Sequence, residues 1–582
     1  VTKKRKILKW VLWVFIAIIG LVGIGIIYMY ASSFSLGTWD YDSKQVVSND
    51  LPERPNILFL VAEDMSDRVG AFGDPLAQTP NIDRLAAKGV RFPNTFTTAG
   101  VCSPSRAGLI LGMNQISTGT QHMRTSNRPN GGYQSVPPAE VKAFPELLRA
   151  AGYYTFNTAK EDYQFSGAMP GSGPFTIWDA FNDSQLWRNR RNDQPFFGMM
   201  NFMETHETGL FTPLGNKPNS LTHFAMQLIR PAMVMATNGE EVDPSDVKLP
   251  PYYPDTPVVR ADIARFYSNI NAMDKVVGDV LDRLEKDGLA SSTIVIWTTD
   301  HGDCLPRAKR DLYDSGIKVP MVIYWPEAYR PKNMKPGTVD NRLVSFVDLA
   351  PTFLGIAKAS KPDYLQGFDI ENDTMPRSYV YAARDRIDEI DDRQRAVRDH
   401  RFKYIRSWYP EQAEGFHLAF RDNLEIMREM WRLKAEGKLN ADQLKWFEAP
   451  GEERLYDIQN DPFELHDLSN DTVYSSDLKH MRNALDEWLQ NIGDWSDVPE
   501  DEMVKRFQPQ GHQEETPIPK ISVRNGKIMI TSEEIGASIG YQINNGPWLL
   551  YTAPFTTEEK GKITAKAVRY GWEESEEVSF DL

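Results

Sequence analysis

Residues Pro55–Asp64 read PNILFLVAED. From Ile57 to Ala62 the run is apolar without a break, lacking the alternation of a strand with one wet face, and it stops at two acids. A short run of that kind reads as a strand buried on both sides, the form strands take in parallel sheets covered by helices. Two later stretches repeat the pattern: QPFFGMMNFMETHE (194–207) and STIVIWTTDHGD (292–303). KVPMVIYWP (318–326) is a further apolar strand. Between them lie helical stretches. TPNIDRLAAKG (79–89) has Thr79 placed as a cap and Gly89 as a stop, AFPELLRAAGYYTFNTAK (143–160) reads as helix, Gly turn and strand, and residues 259–289 form one long amphipathic helix. Strands alternating with helices predict an α/β domain around a mostly parallel sheet. Ligands of such sheets bind beyond the carboxyl ends of the strands. Here those ends read ED, ETHE and TTDHGD, so acids and histidines gather on one edge.

The rest of the chain divides around this domain. TKKRKILK (2–9) precedes an uncharged apolar run from Trp10 to Tyr30, long enough for a helix to span a bilayer. The basic cluster places residues 1–9 in the cytoplasm and the body outside it, in the periplasm or at the cell surface. Residues 10–30 are therefore read as a membrane anchor, with a cleaved signal sequence and secretion as the alternative. Residues 31–54 are read as a stalk and 55–385 as the α/β domain. Residues 386–505 form a smaller subdomain, in which QRAVRDHRFKYIRSW and ERLYDIQNDPFELHDL predict antiparallel strands around a helical insertion. The Pro- and Gln-rich stretch 506–520 reads as a linker, and 521–582, with short strands and Asn-Gly turns, as a β-sandwich. The net charge of −15 excludes a nucleic-acid binder. With two cysteines, Cys102 and Cys304, the 582 residues can hold at most one disulfide.

One of those cysteines sits in GVCSPSRAG (100–108). CSPSR resembles the C-x-P-x-R signature of the type I, formylglycine-dependent sulfatases, in which the cysteine is oxidised to formylglycine (3-oxoalanine). NILFLVAED resembles that family's first metal strand, and QTPNIDRLAAKGVRFPNTFTTAGVCSPSRAGLILG its most recognisable block. TTDHGD with KRDLYDSGIKVP resembles the second metal strand and the following loop, and ERLYDIQNDPFELHDL the C-terminal subdomain. The resemblance spans roughly Pro55 to Gly493. It implies an alkaline-phosphatase-like fold, one divalent cation, Ca²⁺ before Mg²⁺, and conversion of Cys102 by a formylglycine-generating or anaerobic sulfatase-maturing enzyme.

Residue by residue, it implies metal ligands Glu63, Asp64, Cys102, Asp300 and His301, and catalytic roles for Cys102, Arg106, Lys160, His206 and Lys309. Arg106 is read as opening a helix within reach of residue 102. His206 is placed as the general acid for the leaving alcohol. His122, Arg124 and Arg307 are the substrate-binding candidates. Three positions depart from the family. The first metal strand ends in Glu63-Asp64 instead of two aspartates, the second supplies Asp300-His301 instead of Asp-Asn, and Asp162 stands where many members carry a histidine. Asp162 then becomes the candidate base.

These variants are similar to the branch holding heparan N-sulfatases and bacterial polysaccharide sulfatases. The expected substrate is a sulfated polysaccharide or its oligosaccharides, algal (ulvan-type) before N-sulfated glucosamine. A polyanion is repelled by the acidic body only within about 8 Å at physiological salt. Binding then rests on local cations, for which Arg124, Arg128, Arg188, Arg190, Arg191 and Arg307 are candidates. The last domain resembles the fibronectin-III-like sandwich of chitobiase-type glycosidases; Trp548, Tyr551 and Trp572 are either glycan contacts or core. Two other functions stay open. A phosphoesterase of the same superfamily would need a second metal site, and a silent glycan-binding relative would have lost its chemistry.

Overall fold

The computed structural model describes residues 51–125, 128, 131–167, 171–211, 241–372 and 376–582, together with Trp13, Leu36, Phe224 and Gln227. The expected membrane anchor, Trp13 apart, lies outside the described residues, as does the stalk up to residue 50 apart from Leu36. Among the described residues no helix is long and apolar enough to cross a membrane.

Eight strands form the central sheet: β1 (Asn56–Ala62), β2 (Val90–Phe96), β3 (Tyr154–Thr158), β4 (Ala180–Phe181), β5 (Phe196–Phe202), β6 (Thr293–Thr299), β7 (Lys318–Tyr324) and β8 (Val344–Ser345). Their spatial order is β4-β3-β5-β1-β6-β7-β2-β8. β1 lies in the middle, parallel to β5 and β6. Leu58, Leu60 and Ala62 enter the core on one face, and Ile57, Phe59 and Val61 the core on the other. Both faces are covered, which is why the run shows no polar alternation.

The helices follow the expected segments. α1 (Pro80–Lys88) covers the first face, α2 (Cys102–Leu111) and α3 (Phe144–Ala150) the second. α4 (Pro257–Lys286) lies on the first face and α5 (Leu349–Ile356) on the second. α4 starts at a cap, where the Thr256 hydroxyl accepts from the Val259 N–H at 3.3 Å and Pro257 fills the first position. Its buried Val259, Ile263, Phe266, Ile270, Met273 and Val277 recur every three or four residues. β7 is the exception to the parallel sheet, antiparallel to both β6 and β2. The loop 300–317 leaves and rejoins the sheet at the same carboxyl edge, so β7 must run back.

The second subdomain is an antiparallel sheet of β9 (Val380–Arg384), β10 (Gln394–Arg398), β11 (Phe402–Ser407) and β12 (Glu453–Asp457). β9 places its start ahead of residue 386. α6 (Glu425–Ala435) stands in the insertion before β12, and α7 (Ser475–Ile492) packs Met481, Leu485 and Trp488 onto the sheet. α8 (Glu500–Phe507) follows.

The terminal domain is a hairpin of β13 (Lys520–Arg524) and β14 (Lys527–Thr531) facing a sheet of β15 (Ser538–Ile543), β16 (Leu549–Leu550), β17 (Lys562–Val568) and β18 (Val578–Asp581). Ile528, Ile530, Ile563 and Ala565 fill the space between. The stretch expected as a linker is tied down. The Thr516 N–H donates to Glu573 O at 3.0 Å and the Glu573 N–H to Glu514 O at 2.8 Å. Two of the three aromatic candidates for glycan contact serve packing: Trp548 meets Phe175 edge-on at 5.4 Å, and Tyr551 sits among Tyr541 and Phe555. Trp572 is half-buried.

Candidate active site

Three strand ends meet at one edge. The Glu63 N–H donates to Phe202 O at 3.1 Å and the Asp300 N–H to Ala62 O at 3.0 Å, so β1, β5 and β6 finish level. Asp64 turns into a left-handed conformation (φ 50°), and its N–H donates to Asp300 Oδ1 at 2.9 Å. From the end of β5 the Glu207 N–H donates to Asp64 Oδ2 at 2.7 Å. Glu63, Asp64, Asp300 and Glu207 are all fully buried.

Cys102 opens α2, after Val101 in an extended conformation. Arg106 therefore lies one turn inside the helix and does not begin it. A side chain at Gly100 would put a Cβ 2.3 Å from Asp311 O, and the Arg310 N–H donates to Gly100 O at 2.6 Å. Only glycine lets the cysteine turn press this closely on the loop that carries Lys309. Cys102 Sγ lies 3.3 Å from His301 Nε2 and 3.7 Å from Asp64 Oδ1. Ligand atoms of Asp64, Cys102, Asp300 and His301 lie within 4.8 Å of one another, and so do those of Glu63, Asp64, Cys102 and His206. These groups could hold a metal ion.

Cations interleave with the acids. Arg106 pairs with Glu63, reaches Asp300 Oδ2 at 3.3 Å and donates to Asn201 Oδ1 at 2.9 Å. Lys160 pairs with Glu63 and lies 3.8 Å from Asp300. Lys309 lies 2.5 Å from Asp64 and 3.2 Å from Glu207, and Arg310 grips Glu207 with two bonds of 2.9 Å. Burial works against the Cys102 thiolate, but Lys160 and Lys309 outweigh it and bring the thiol down to about 7. Burial also opposes charge on His301; the Asp300 and Asp64 carboxylates overcome it and raise the ring to about 10. His206 has too little compensation, and burial lowers it to about 4. The Glu63 carboxyl is raised by burial, whereas Lys309 and the two histidines hold Asp64 well below the usual range despite burial.

Lys160 and Asp162 ride on a tight loop after β3, with Ala159, Asp162 and Gln164 all left-handed (φ 65°, 61° and 65°). Each such non-glycine residue costs about 1–2 kcal/mol, so the loop is held by its surroundings. Asp162 Oδ1 accepts from the Ser103 hydroxyl at 2.5 Å and from Arg124 at 2.9 Å, while its buried Oδ2 has no hydrogen-bond partner among the described residues. Arg124 thus stands at the site. The His122 ring is buried beside it, neither nitrogen paired among the described residues, and burial lowers its pKa.

Arg307 does not belong to the site. It turns left-handed, stacks over Tyr313 at 3.9 Å and Tyr252 at 4.4 Å, and donates to Glu464 O at 2.8 Å. Arg128 pairs with Asp501 of α8. Arg188 pairs with Asp287 beyond α4, at the amino end of β6 and so on the opposite edge of the sheet. Arg190 packs over Phe196 and Arg191 is exposed. Three residues the sequence reading passed over are part of the cluster: Ser103, Glu207 and Arg310. Glu207 was visible as the last acid of ETHE; the other two carry no mark apart from their neighbours.

The comparisons with known proteins agree with this geometry. The sulfatase family pattern matches residues 55–359, and the C-terminal pattern of N-sulphoglucosamine sulphohydrolases matches residues 307–436. The chain is 41% identical over 555 residues to an ulvan-active sulfatase of Formosa agariphila, covering 91% of each protein. It is 25% identical over 496 residues to the human N-sulphoglucosamine sulphohydrolase, covering 78% of this chain and 94% of that protein. Among solved structures a 2-O GAG sulfatase shares the fold, with a TM-score of 0.52 at 20% identity, over 77% of this chain and 94% of that one. A domain-length family match, a relative of this identity and a buried CSPSR cysteine at the carboxyl edge of the sheet lead to one conclusion: the chain belongs to the sulfatase family and is a sulfuric ester hydrolase.

Proposed function

We propose that this sulfatase hydrolyses sulfate esters of a sulfated polysaccharide or its oligosaccharides, an algal polymer such as ulvan, with a formylglycine made from Cys102 as nucleophile. The observation that carries the reading is the setting of Cys102: a buried helix-opening thiol within electrostatic reach of Lys160 and Lys309 and beside three carboxylates and two imidazoles. The relative from Formosa agariphila, named for activity on ulvan, supports the substrate. Because Cys102 is 1% exposed, a maturing enzyme would have to reach it before the chain closes around it. The apolar run at residues 10–30 is read as holding the enzyme at a membrane, with its body outside the cytoplasm.

A set of mostly oxygen donors fits Ca²⁺, and Glu63, Asp64, Asp300 and His301 would hold it with residue 102. When bound, such a cation supplies Lewis acidity that lowers the pKa of a coordinated hydroxyl and polarises sulfate. Hydrated formylglycine supplies one hydroxyl for attack on sulfur and a second whose collapse to the aldehyde releases sulfate.

The other residues have roles that follow from their contacts. Lys160 and Lys309, now facing carboxylates, would share their charge with sulfate oxygens. His206 Nδ1 faces Thr208, 2.9 Å from its hydroxyl and 3.3 Å from its N–H; in the tautomer that accepts from both, the ring proton sits on Nε2, the nitrogen that would protonate a leaving alcohol. Burial lowers its pKa to about 4, and a bound anionic sulfate would raise it again. Asp162, fixed through Oδ1, offers Oδ2 as a base for the diol proton.

The match of residues 307–436 to N-sulphoglucosamine sulphohydrolases favours a second reading, cleavage of N-sulfate from glucosamine. Sulfate release from a panel of ulvan and heparan oligosaccharides of known linkage decides between them. Release from ulvan alone is expected; release from N-sulfated glucosamine alone overturns the algal assignment.

A further inference from the structure

We propose that the C-terminal β-sandwich is a working part of the catalytic centre, with Tyr570 as a positioning residue for the loop that carries Lys160 and Asp162. The proposal rests on the roles given to those two residues above. A sandwich behind a polar stretch would ordinarily be taken for a detachable glycan-binding module. Here its contacts run inward.

Tyr570, between β17 and β18, is fully buried, and its ring lies flat on Phe165 (centroids 5.1 Å, planes 3° apart). Phe165 in turn stacks on Tyr163 at 5.6 Å and 20°. Tyr163 directly follows Asp162, whose carboxylate takes the hydroxyl of Ser103, the neighbour of Cys102. The backbone is gripped at the same place. The Gly571 N–H donates to Phe165 O at 3.2 Å, and the Ser135 N–H to Gln164 O at 2.8 Å. Gly571 is left-handed (φ 85°), and a Cβ there would lie 2.2 Å from Ser135 O, so the approach requires glycine.

The far side of the stack is anchored as well. The Tyr570 hydroxyl donates to buried Glu146 at 2.7 Å, and Glu146 also accepts from Ser538 and Thr176 at 2.5 Å each. Lys142 donates to Ser538 at 2.7 Å and Arg149 to Trp548 O at 2.9 Å. A loop with left-handed residues at 159, 162 and 164 does not keep its shape unaided. The stack from Tyr570 through Phe165 to Tyr163 is the rigid element that over-determines it.

The test uses the full chain and two readouts, sulfate release from ulvan oligosaccharides and hydrogen exchange of backbone amides. Tyr570→Ala is expected to lower kcat about tenfold or more, the scale on which misplacement of catalytic groups acts, with KM changed less. Amides of residues 160–165 should exchange faster while those of β1 do not. Tyr570→Phe, which keeps the stack, should restore both readouts to near wild type. Phe165→Leu keeps apolar volume and loses the stack, so it should repeat the defect if Tyr570→Ala does not fold. Ile563→Ala, in the sandwich core away from the docking face, should lower stability and leave kcat unchanged. Wild-type kcat and exchange in Tyr570→Ala or Phe165→Leu overturns the proposal, as does an equal loss of kcat in Ile563→Ala. A wild type that releases no sulfate counts against the function proposed above, and the exchange data still decide this one.

Discussion

His301 Nε2 lies 2.9 Å from Asp64 Oδ1, while its Nδ1 lies 3.0 Å from the carbonyl of Gly302. The carbonyl can only accept, so Nδ1 carries a proton and a neutral ring turns the Nε2 lone pair toward a carboxylate. Two acceptors at hydrogen-bond distance need a cation between them. A second proton is one solution, which is why the ring is raised to about 10; a divalent ion is the other.

The first prediction follows. Ca²⁺ should raise the melting temperature of the wild type, by the equivalent of about 2.7 kcal/mol when its concentration is a hundred times Kd. His301→Ala should lose most of that shift. His301→Asn replaces the imidazole by an oxygen donor and should keep much of it. Equal shifts in the wild type and His301→Ala would remove His301 from the ligand set.

Conversion of Cys102 is a separate question. Protein made beside a maturing enzyme should yield a residue-102 peptide lighter by the difference between a thiol and an aldehyde, reactive toward hydrazides. Cys102→Ala should show neither change and release no sulfate. An active protein in which every Cys102 is still a thiol would disprove the nucleophile.

Asp162 can be isolated from its neighbours. Asp162→Asn keeps size and the contact with Ser103 but removes the base, so kcat should fall by about 10²–10⁴, the usual contribution of a positioned acid or base. Ser103→Ala frees Oδ1 without removing the carboxylate and should cost far less. Unchanged kcat in Asp162→Asn would move the role to another residue.

The sheet and its reactive edge were legible because burial leaves a plain mark. Ile57–Ala62 and Ile294–Thr299 are enclosed on both faces, so their sequences are apolar through Ala62 and Trp297; Glu63 and Asp64 follow the first at once, and Asp300 and His301 follow the second after two buried threonines. Cys102 was legible through its motif. Direction and long-range pairing were not. KVPMVIYWP reads the same whether β7 runs with or against β6, and only the return of loop 300–317 to the same edge decides it. Arg307 stands two residues before Lys309, yet a left-handed turn sends it between Tyr252 and Tyr313. Trp548 stayed open between glycan contact and core because nothing local marks Phe175 as its partner.

Glu207 accepts both bonds of Arg310 and lies against Lys309, with all three side chains buried. Removing one member of such a group strands the other charges. Glu207→Ala should therefore destabilise the protein by about 3–5 kcal/mol. Glu207→Gln, which keeps volume and one acceptor, should cost less. Urea unfolding followed by tryptophan fluorescence measures both, and a Glu207→Ala variant as stable as the wild type would show the network to be idle.

The last prediction concerns pH and the helix that closes the second subdomain onto the segment of His122 and Arg124. Glu500 of α8 accepts from Arg386 Nε at 2.7 Å and Nη2 at 2.9 Å, and from the Tyr133 hydroxyl at 2.8 Å. Arg386 in turn donates to Met123 O at 3.0 Å, which ties the helix to the segment of His122 and Arg124. Burial pushes the Glu500 carboxyl up, but the bonds from Arg386 and the charges of His122 and Arg386 outweigh it and hold it at about 2, against an ordinary 4.5. With the folded value below the unfolded one, the unfolded chain binds more protons between those limits. The stabilisation is then complete above pH about 5 and is lost as pH falls through 4.5 toward 2. Partial solvent access limits it to about 1–2 kcal/mol. The melting temperatures of the wild type and Glu500→Gln should differ by a constant gap from pH 7 to 5, and the gap should narrow from pH 4.5 downward. A gap that stays constant to pH 3 would mean that the ionised carboxylate of Glu500 contributes nothing to the closure.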